Sequence, residues 1–283
     1  MTKPSLLHQV FIYVAALVVA TAVLAPPLWL FISSISSHSA LLNVPVHWIP
    51  QQSTFERYYQ IIYATGTDSA AVFRRALLNS LIVAGSVTAI CVTVGSVAAY
   101  SFARMRFAGH TNLVYVLLIS YMLPPIMLVV PLYAIMGDLG LTDTLYALII
   151  IYSALIMPFA VWIMRGFFQT IPRELEEAAM TDGCTRLGAF VRIILPLSLP
   201  GLVATSLFCF LLAWEEFLIA LIFTSSPQAK TIPVAIAEFT GRHAIDFGMM
   251  ATGGVIAAIP PILIALVFQR YLISGLSSGA VKG

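Results

Sequence analysis

Hydrophobic and polar residues along the 283-residue chain fall into long blocks. Six stretches are almost wholly apolar: roughly 10–32, 77–102, 111–136, 144–164, 199–223 and 249–273. Each is near or above the ~20 residues a helix needs to cross the hydrocarbon core of a bilayer. Barrel strands need only about ten residues and alternate in polarity, which these runs do not. The pattern predicts an all-α polytopic membrane protein: about six transmembrane helices forming one transmembrane domain over 1–283. Between the runs lie an outside loop at 36–76 and a second polar loop at 165–198.

Composition agrees with the pattern. Hydrophobic residues make up 60% of the chain and charged residues 9%, with a mean hydropathy of +0.97. An average soluble protein carries about 25% charged residues. No charged skin is available, so lipid is the expected surroundings. A net charge of +2 without a polybasic run excludes nucleic acid as a partner class. The cysteines, Cys91, Cys184 and Cys209, are odd in number and unpaired in spacing, which argues against a disulfide framework or zinc site. Lys3 and Ala20-Thr21-Ala22 resemble parts of a signal peptide. The run from Val10 to Ile32 outlasts the roughly 7–15 residues of a signal's apolar region, so it reads as a retained first span.

Placing the N-terminus inside puts nine of the fourteen lysines and arginines on the inner side, including Arg104, Arg106, Arg165, Arg173, Arg186 and Arg192. The outer five are Arg57, Arg74, Arg75, Lys230 and Arg242. Both termini are therefore expected in the cytoplasm. Prolines interrupt several runs (Pro26-Pro27, Pro124-Pro125, Pro131, Pro158 and Pro260-Pro261). One proline signifies a packing kink; this many in one small bundle suggests a pathway. Gly85, Ala89, Gly95, Ser96 and Ala99 let other helices approach the second run closely. In the outside loop, Trp48, Tyr58, Tyr59 and Tyr63 suit either the membrane interface or an external partner.

The 165–198 loop holds more pattern than a connector needs. Pro172 is placed to open a helix and Gly183 to end it. Glu174, Glu176 and Glu177 occupy the first turns, favoured by the helix dipole. Leu175, Ala178 and Ala179 form a narrow stripe of small and apolar side chains. A second helix is expected over Thr185–Leu195, with Leu187, Phe190, Val191 and Ile194 on one side and Arg186 and Arg192 on the other. Such a pair suits docking against another protein; the plain alternative is a solvated loop on the membrane surface.

The residues Glu177-Ala178-Ala179, Gly183, Ile193, Leu195 and Pro196 meet every fixed position of the EAA signature, EAA-x3-G-x9-I-x-LP. This resembles the permease subunits of bacterial ABC importers. With Asn79-Ser80 opening the second run and Trp214-Glu215-Glu216-Phe217 in the fifth, the whole chain is similar to the shorter permease of maltose- and trehalose-type carbohydrate uptake systems. The resemblance implies a coupling helix seated in a cleft of one cytoplasmic subunit of an ATPase dimer, together with a second permease subunit and an external solute-binding protein. It assigns ATPase coupling to Glu176, Glu177, Ala178, Ala179, Asp182, Gly183, Phe190, Leu195 and Pro196. The chain has no Gly-Lys-Ser/Thr phosphate loop, so ATP and its Mg²⁺ would bind the partner, with no cofactor on this chain.

Pathway candidates are Asn79, Trp214, Glu215, Glu216 and Phe217. Carboxylates within a span are costly, at roughly 2.5–3.5 kcal/mol on insertion scales, and should face the bundle interior or water. Glu215 and Glu216 would bind a polyhydroxylated solute, touch the partner permease, or form a purely structural polar pair. Trp214 and Phe217 would stack on a sugar face or simply pack. The family commonly has Asn where Glu215 stands, a departure that suggests a cationic or amine-bearing solute. Glycerol phosphates and polyols also stay open. No nucleophile–base pair is visible, and histidines 8, 38, 47, 110 and 243 have no metal-ligand spacing. An ion-coupled secondary transporter is the competing class; it predicts inverted repeats, and none is visible.

Overall fold

In the computed structural model, residues 6–42, 48–50, 52–63, 68–240 and 246–280 are described, with side chains apart from those of 68–69 and 270–280. Lys3, His47, Arg242, His243 and Lys282 lie outside the described residues, as does the side chain of Arg270. The elements are helices throughout: α1 (Leu6–Ile35), α2 (His38–Leu42), α3 (Glu56–Tyr63), α4 (Asp68–Arg104), α5 (His110–Met122), α6 (Pro125–Asp138) and α7 (Leu145–Thr170). There follow α8 (Arg173–Thr181), α9 (Arg186–Ala189), a π-helical turn Phe190–Ile194, α10 (Leu195–Leu197), α11 (Leu199–Trp214), α12 (Leu218–Phe223), α13 (Ile232–Ala237) and α14 (Phe247–Ala280). The fold is all-α.

Among the described residues, four helices are long and apolar enough to span a membrane, and counting each of two bent pairs as one span raises the number to six. The third run is not one straight span, as its composition suggested. It breaks into α5 and α6, which meet at 94°. Leu123 and Pro124 each precede a proline and are held extended, at ψ 126° and 124°, because the following ring excludes the helical region. The run over 199–223 also divides: α11 stops at Trp214, Glu215-Glu216-Phe217 leave the helix, and α12 restarts at Leu218. A second bend of 77° at Ser198, between Pro196 and Pro200, separates α9–α10 from α11. Apolar side chains such as Leu7, Phe11, Leu17, Val130 and Val267 are exposed along these helices. Surfaces of this kind are stable only against lipid or other apolar protein. The chain is a multi-pass membrane protein.

Two compact units divide the chain: residues 1–74 with 235–259, and 75–234 with 260–283. In the first, buried Arg57 of α3 donates to the carbonyls of Ser36 (2.6 Å) and Ser34 (3.2 Å) at the end of α1. Its guanidinium lies where a Cβ on Gly248 would stand, which is why the first turn of α14 carries a glycine there. Phe73 stacks on Phe239, and Arg74 holds the carbonyls of Ile61 and Ile62.

The second unit carries the 165–198 loop. Gly95 lets α4 lie against α7: a Cβ there would sit 3.4 Å from that of Ala160. Phe167 of α7 covers Gly201 of α11 so closely that no Cβ fits. Next to that loop Ala99, Tyr100, Val161, Met164, Phe168, Phe190 and Ile194 form a buried cluster, the base on which α8 rests.

Candidate functional site

The helix α8 starts at Arg173, one residue later than expected, with Pro172 as its cap. It ends in a Schellman motif. Gly183 N–H donates to Met180 O (3.1 Å), Cys184 N–H donates to Ala179 O (3.0 Å), and Gly183 takes φ +89°, a conformation costly for any side-chain-bearing residue. Thr185 then caps α9 by accepting from Gly188 N–H at 3.1 Å.

Two faces of α8 are set by what lies beneath it. Glu176 is 6% exposed and points inward. Its Oε1 accepts the hydroxyl of Tyr100, and its Oε2 lies 3.4 Å from Nε of Arg104. Arg104 also donates to Ile171 O at 2.8 Å, tying the preceding linker to the same spot. The Tyr100 ring packs on Phe190 (4.5 Å) and Phe168 (6.2 Å). Ala179 is buried beside this cluster, while Glu174, Leu175, Glu177, Ala178, Asp182 and Gly183 face outward. The small-residue stripe is therefore divided, with Leu175 and Ala178 out and Ala179 in.

The second amphipathic segment differs too. Phe190 and Ile194 are buried as expected, but Leu187 (69%) and Val191 (52%) are exposed. The π turn adds a residue per turn and moves part of the apolar stripe off the core side. Pro196 sits at the surface of α10, with Leu195 partly buried against the aromatic cluster. Tyr100 and Arg104 escaped the sequence reading because their partner is more than 70 positions away.

The pathway candidates separate. Asn79 is buried and its amide donates to the carbonyls of Gln228 (3.0 Å) and Lys230 (2.9 Å). Ser80 accepts from Ile232 N–H at 2.8 Å, so this pair pins the segment before α13. Trp214, 4% exposed, stacks on Phe210 within the bundle. Glu215 is exposed, its N–H donates to Leu211 O at 3.0 Å, and its side chain makes no hydrogen bond or ion pair among the described residues; Phe217 is also exposed. Glu216 is the fixed one. It caps the restart of the helix, accepting from Ile219 N–H (2.9 Å) and Ala220 N–H (3.1 Å), and from Tyr152 OH at 2.6 Å. Beyond α12, the Asp143 carboxylate accepts from the amides of Ser225 (2.8 Å) and Ser226 (3.0 Å). Burial pushes this carboxyl up, but the hydrogen bonds outweigh it and hold it below its usual range.

Residues 91–278 match the family model described as a binding-protein-dependent transport system inner membrane component. The chain belongs to that family. This permease is 36% identical over 282 residues to the trehalose/maltose transport system permease protein MalG of Thermococcus litoralis, spanning 99% of both chains. It is 40% identical to the trehalose transport system permease protein SugB of Mycobacterium tuberculosis, over 94% of this chain and 95% of that one. Its fold matches a subunit in the crystal structure of a bacterial ABC transporter involved in the import of the acidic polysaccharide alginate. That match has a TM-score of 0.80 and 21% identity, over 96% of this chain and 100% of the other. Membership of the ABC permease family gives the ion-coupled secondary transporter no support.

Proposed function

We propose that this permease forms half of the transmembrane pathway of an ABC importer for a sugar or related polyhydroxylated solute. A second permease supplies the other half, an ATPase dimer binds and hydrolyses ATP with Mg²⁺, and an external binding protein delivers the solute. Both termini lie in the cytoplasm, as the charge bias supports, and the 36–76 loop is external. Sugar as cargo is supported by the trehalose and maltose named for the two relatives.

One observation carries the docking reading: the outward face of α8. Glu174, Glu177, Ala178 and Asp182 stand clear of the protein, and exposed Leu187 and Val191 follow in the same loop. Exposed apolar side chains beside carboxylates on a water-facing loop mark a protein interface. The small side chain of Ala178 permits close approach, and the carboxylates complement a basic cleft. Glu176, Ala179 and Phe190 hold the helix to the bundle, so force on the outward face reaches α4 and α7. Gly183, Leu195 and Pro196 shape the loop for that contact, and Glu215, Glu216 and Phe217 mark the pathway wall.

Co-purification of the chain with a candidate ATPase tests this. Wild type should retain the ATPase, whereas Glu177→Lys and Gly183→Asp should release it and abolish ATP-dependent uptake. Survival of both properties in both variants would overturn the docking reading.

A further inference from the structure

Beside the break between α11 and α12 lies a cavity of about 350 Å³, within the roughly 300–1,000 Å³ of small-molecule sites. Its wall includes Ser120 and Tyr121 of α5, Tyr152 and Leu155 of α7, Leu212 of α11, and Glu216. Leu123 and Pro125 line it as well, so the α5–α6 break and the α11–α12 break border one space. Broken backbone at membrane depth is tolerated where it is buried in protein or lines a polar cavity.

We infer that this cavity is a subsite for a hydroxylated sugar ring, held by this chain itself. The inference rests on the importer reading and adds where the solute is touched. Glu216 supplies the polar anchor. Of its two carboxylate oxygens, Oε2 accepts from Tyr152 and Ala220, while Oε1 accepts only from Ile219. An ionised carboxylate has about four acceptor positions, so one on Oε1 is left for a solute hydroxyl. All three existing donors are neutral and fixed in the fold, which orients the free position in advance. Apart from Ser120, the remaining wall is apolar or aromatic. Tyr121 is backed by Phe159, with ring centroids 5.6 Å apart and an interplanar angle of 22°, and so is a rigid plate. A plate of this kind suits the C–H face of a pyranose, while the ring's hydroxyls suit Glu216 and the exposed Ser120. An acyl chain would gain nothing from the carboxylate, and a bare cation nothing from Leu155, Leu212 and Tyr121.

The test uses the assembled importer in lipid nanodiscs, with Cys184→Ser to remove the accessible thiol; Cys91 and Cys209 are buried. Ser120→Cys is labelled with a maleimide, with and without millimolar trehalose or maltose, at rest and during ATP turnover. Protection of several-fold by sugar but not by sorbitol, in either state, is expected. Tyr121→Ala should erase it, as should Glu216→Gln where that variant assembles. Unchanged labelling in both states, alongside ATP hydrolysis stimulated by sugar-loaded binding protein, would overturn the subsite and leave the importer reading standing. A thiol that reacts in the isolated chain and is blocked in the complex without sugar would assign the cavity to the partner permease, and also overturn it. Absence of any sugar-stimulated ATP hydrolysis would remove the importer reading and the subsite with it.

Discussion

Replacing Glu176 with alanine leaves the Tyr100 hydroxyl and the Arg104 guanidinium buried without their carboxylate. Breaking a buried pair from one side costs about 3–5 kcal/mol, so the variant should lower the thermal midpoint of the purified chain by many degrees. Glu177→Ala, one residue on and exposed, should leave that midpoint in place and lose ATPase association instead. Equal effects on stability from both would show that the two faces of α8 are misassigned. Gly183→Ala acts through backbone alone: nothing crowds a Cβ there, but φ +89° disfavours any side chain by about 1 kcal/mol. Asparagine at that position should be milder than alanine, as thermal denaturation of the two variants would reveal.

Helix elements show what apolar runs convey and what they omit. Run length made the spans legible, and Pro172 and Gly183 delimited α8 to within a residue. The interruption at Glu215 was not legible, because the apolar run resumes at Leu218 and hydropathy is blind to direction. Tyr152 sits in a mostly apolar stretch, so nothing nearby marked it as a polar partner of Glu216. The faces of α8 were illegible for another reason: three glutamates within four positions look alike until Tyr100 and Arg104 arrive from α4. The Asp143 clasp on Ser225 and Ser226 is similarly long-range, and it is pH-dependent. Its carboxyl is held low, so the clasp contributes fully above the usual carboxylate range and is lost as pH falls through the lowered value. Wild type should therefore show acid-induced loosening of the 224–228 segment by hydrogen exchange. Asp143→Asn should show the looser pattern already at neutral pH and little further change on acidification.

At the scale of the whole molecule, the chain is a permease whose apolar exterior requires lipid and protein partners. In the proposed importer, the 165–198 loop would be where ATP hydrolysis elsewhere in the complex reaches it, and the broken helices where solute passes. The measurement that bears most directly on this is uptake of radiolabelled trehalose or maltose into proteoliposomes containing the assembled complex. Uptake should require ATP on the loop side and binding protein on the other, and should fall to background with Glu177→Lys while Glu177→Gln retains part of it. Accumulation that continues without ATP, or is unaffected by Glu177→Lys, would contradict the account.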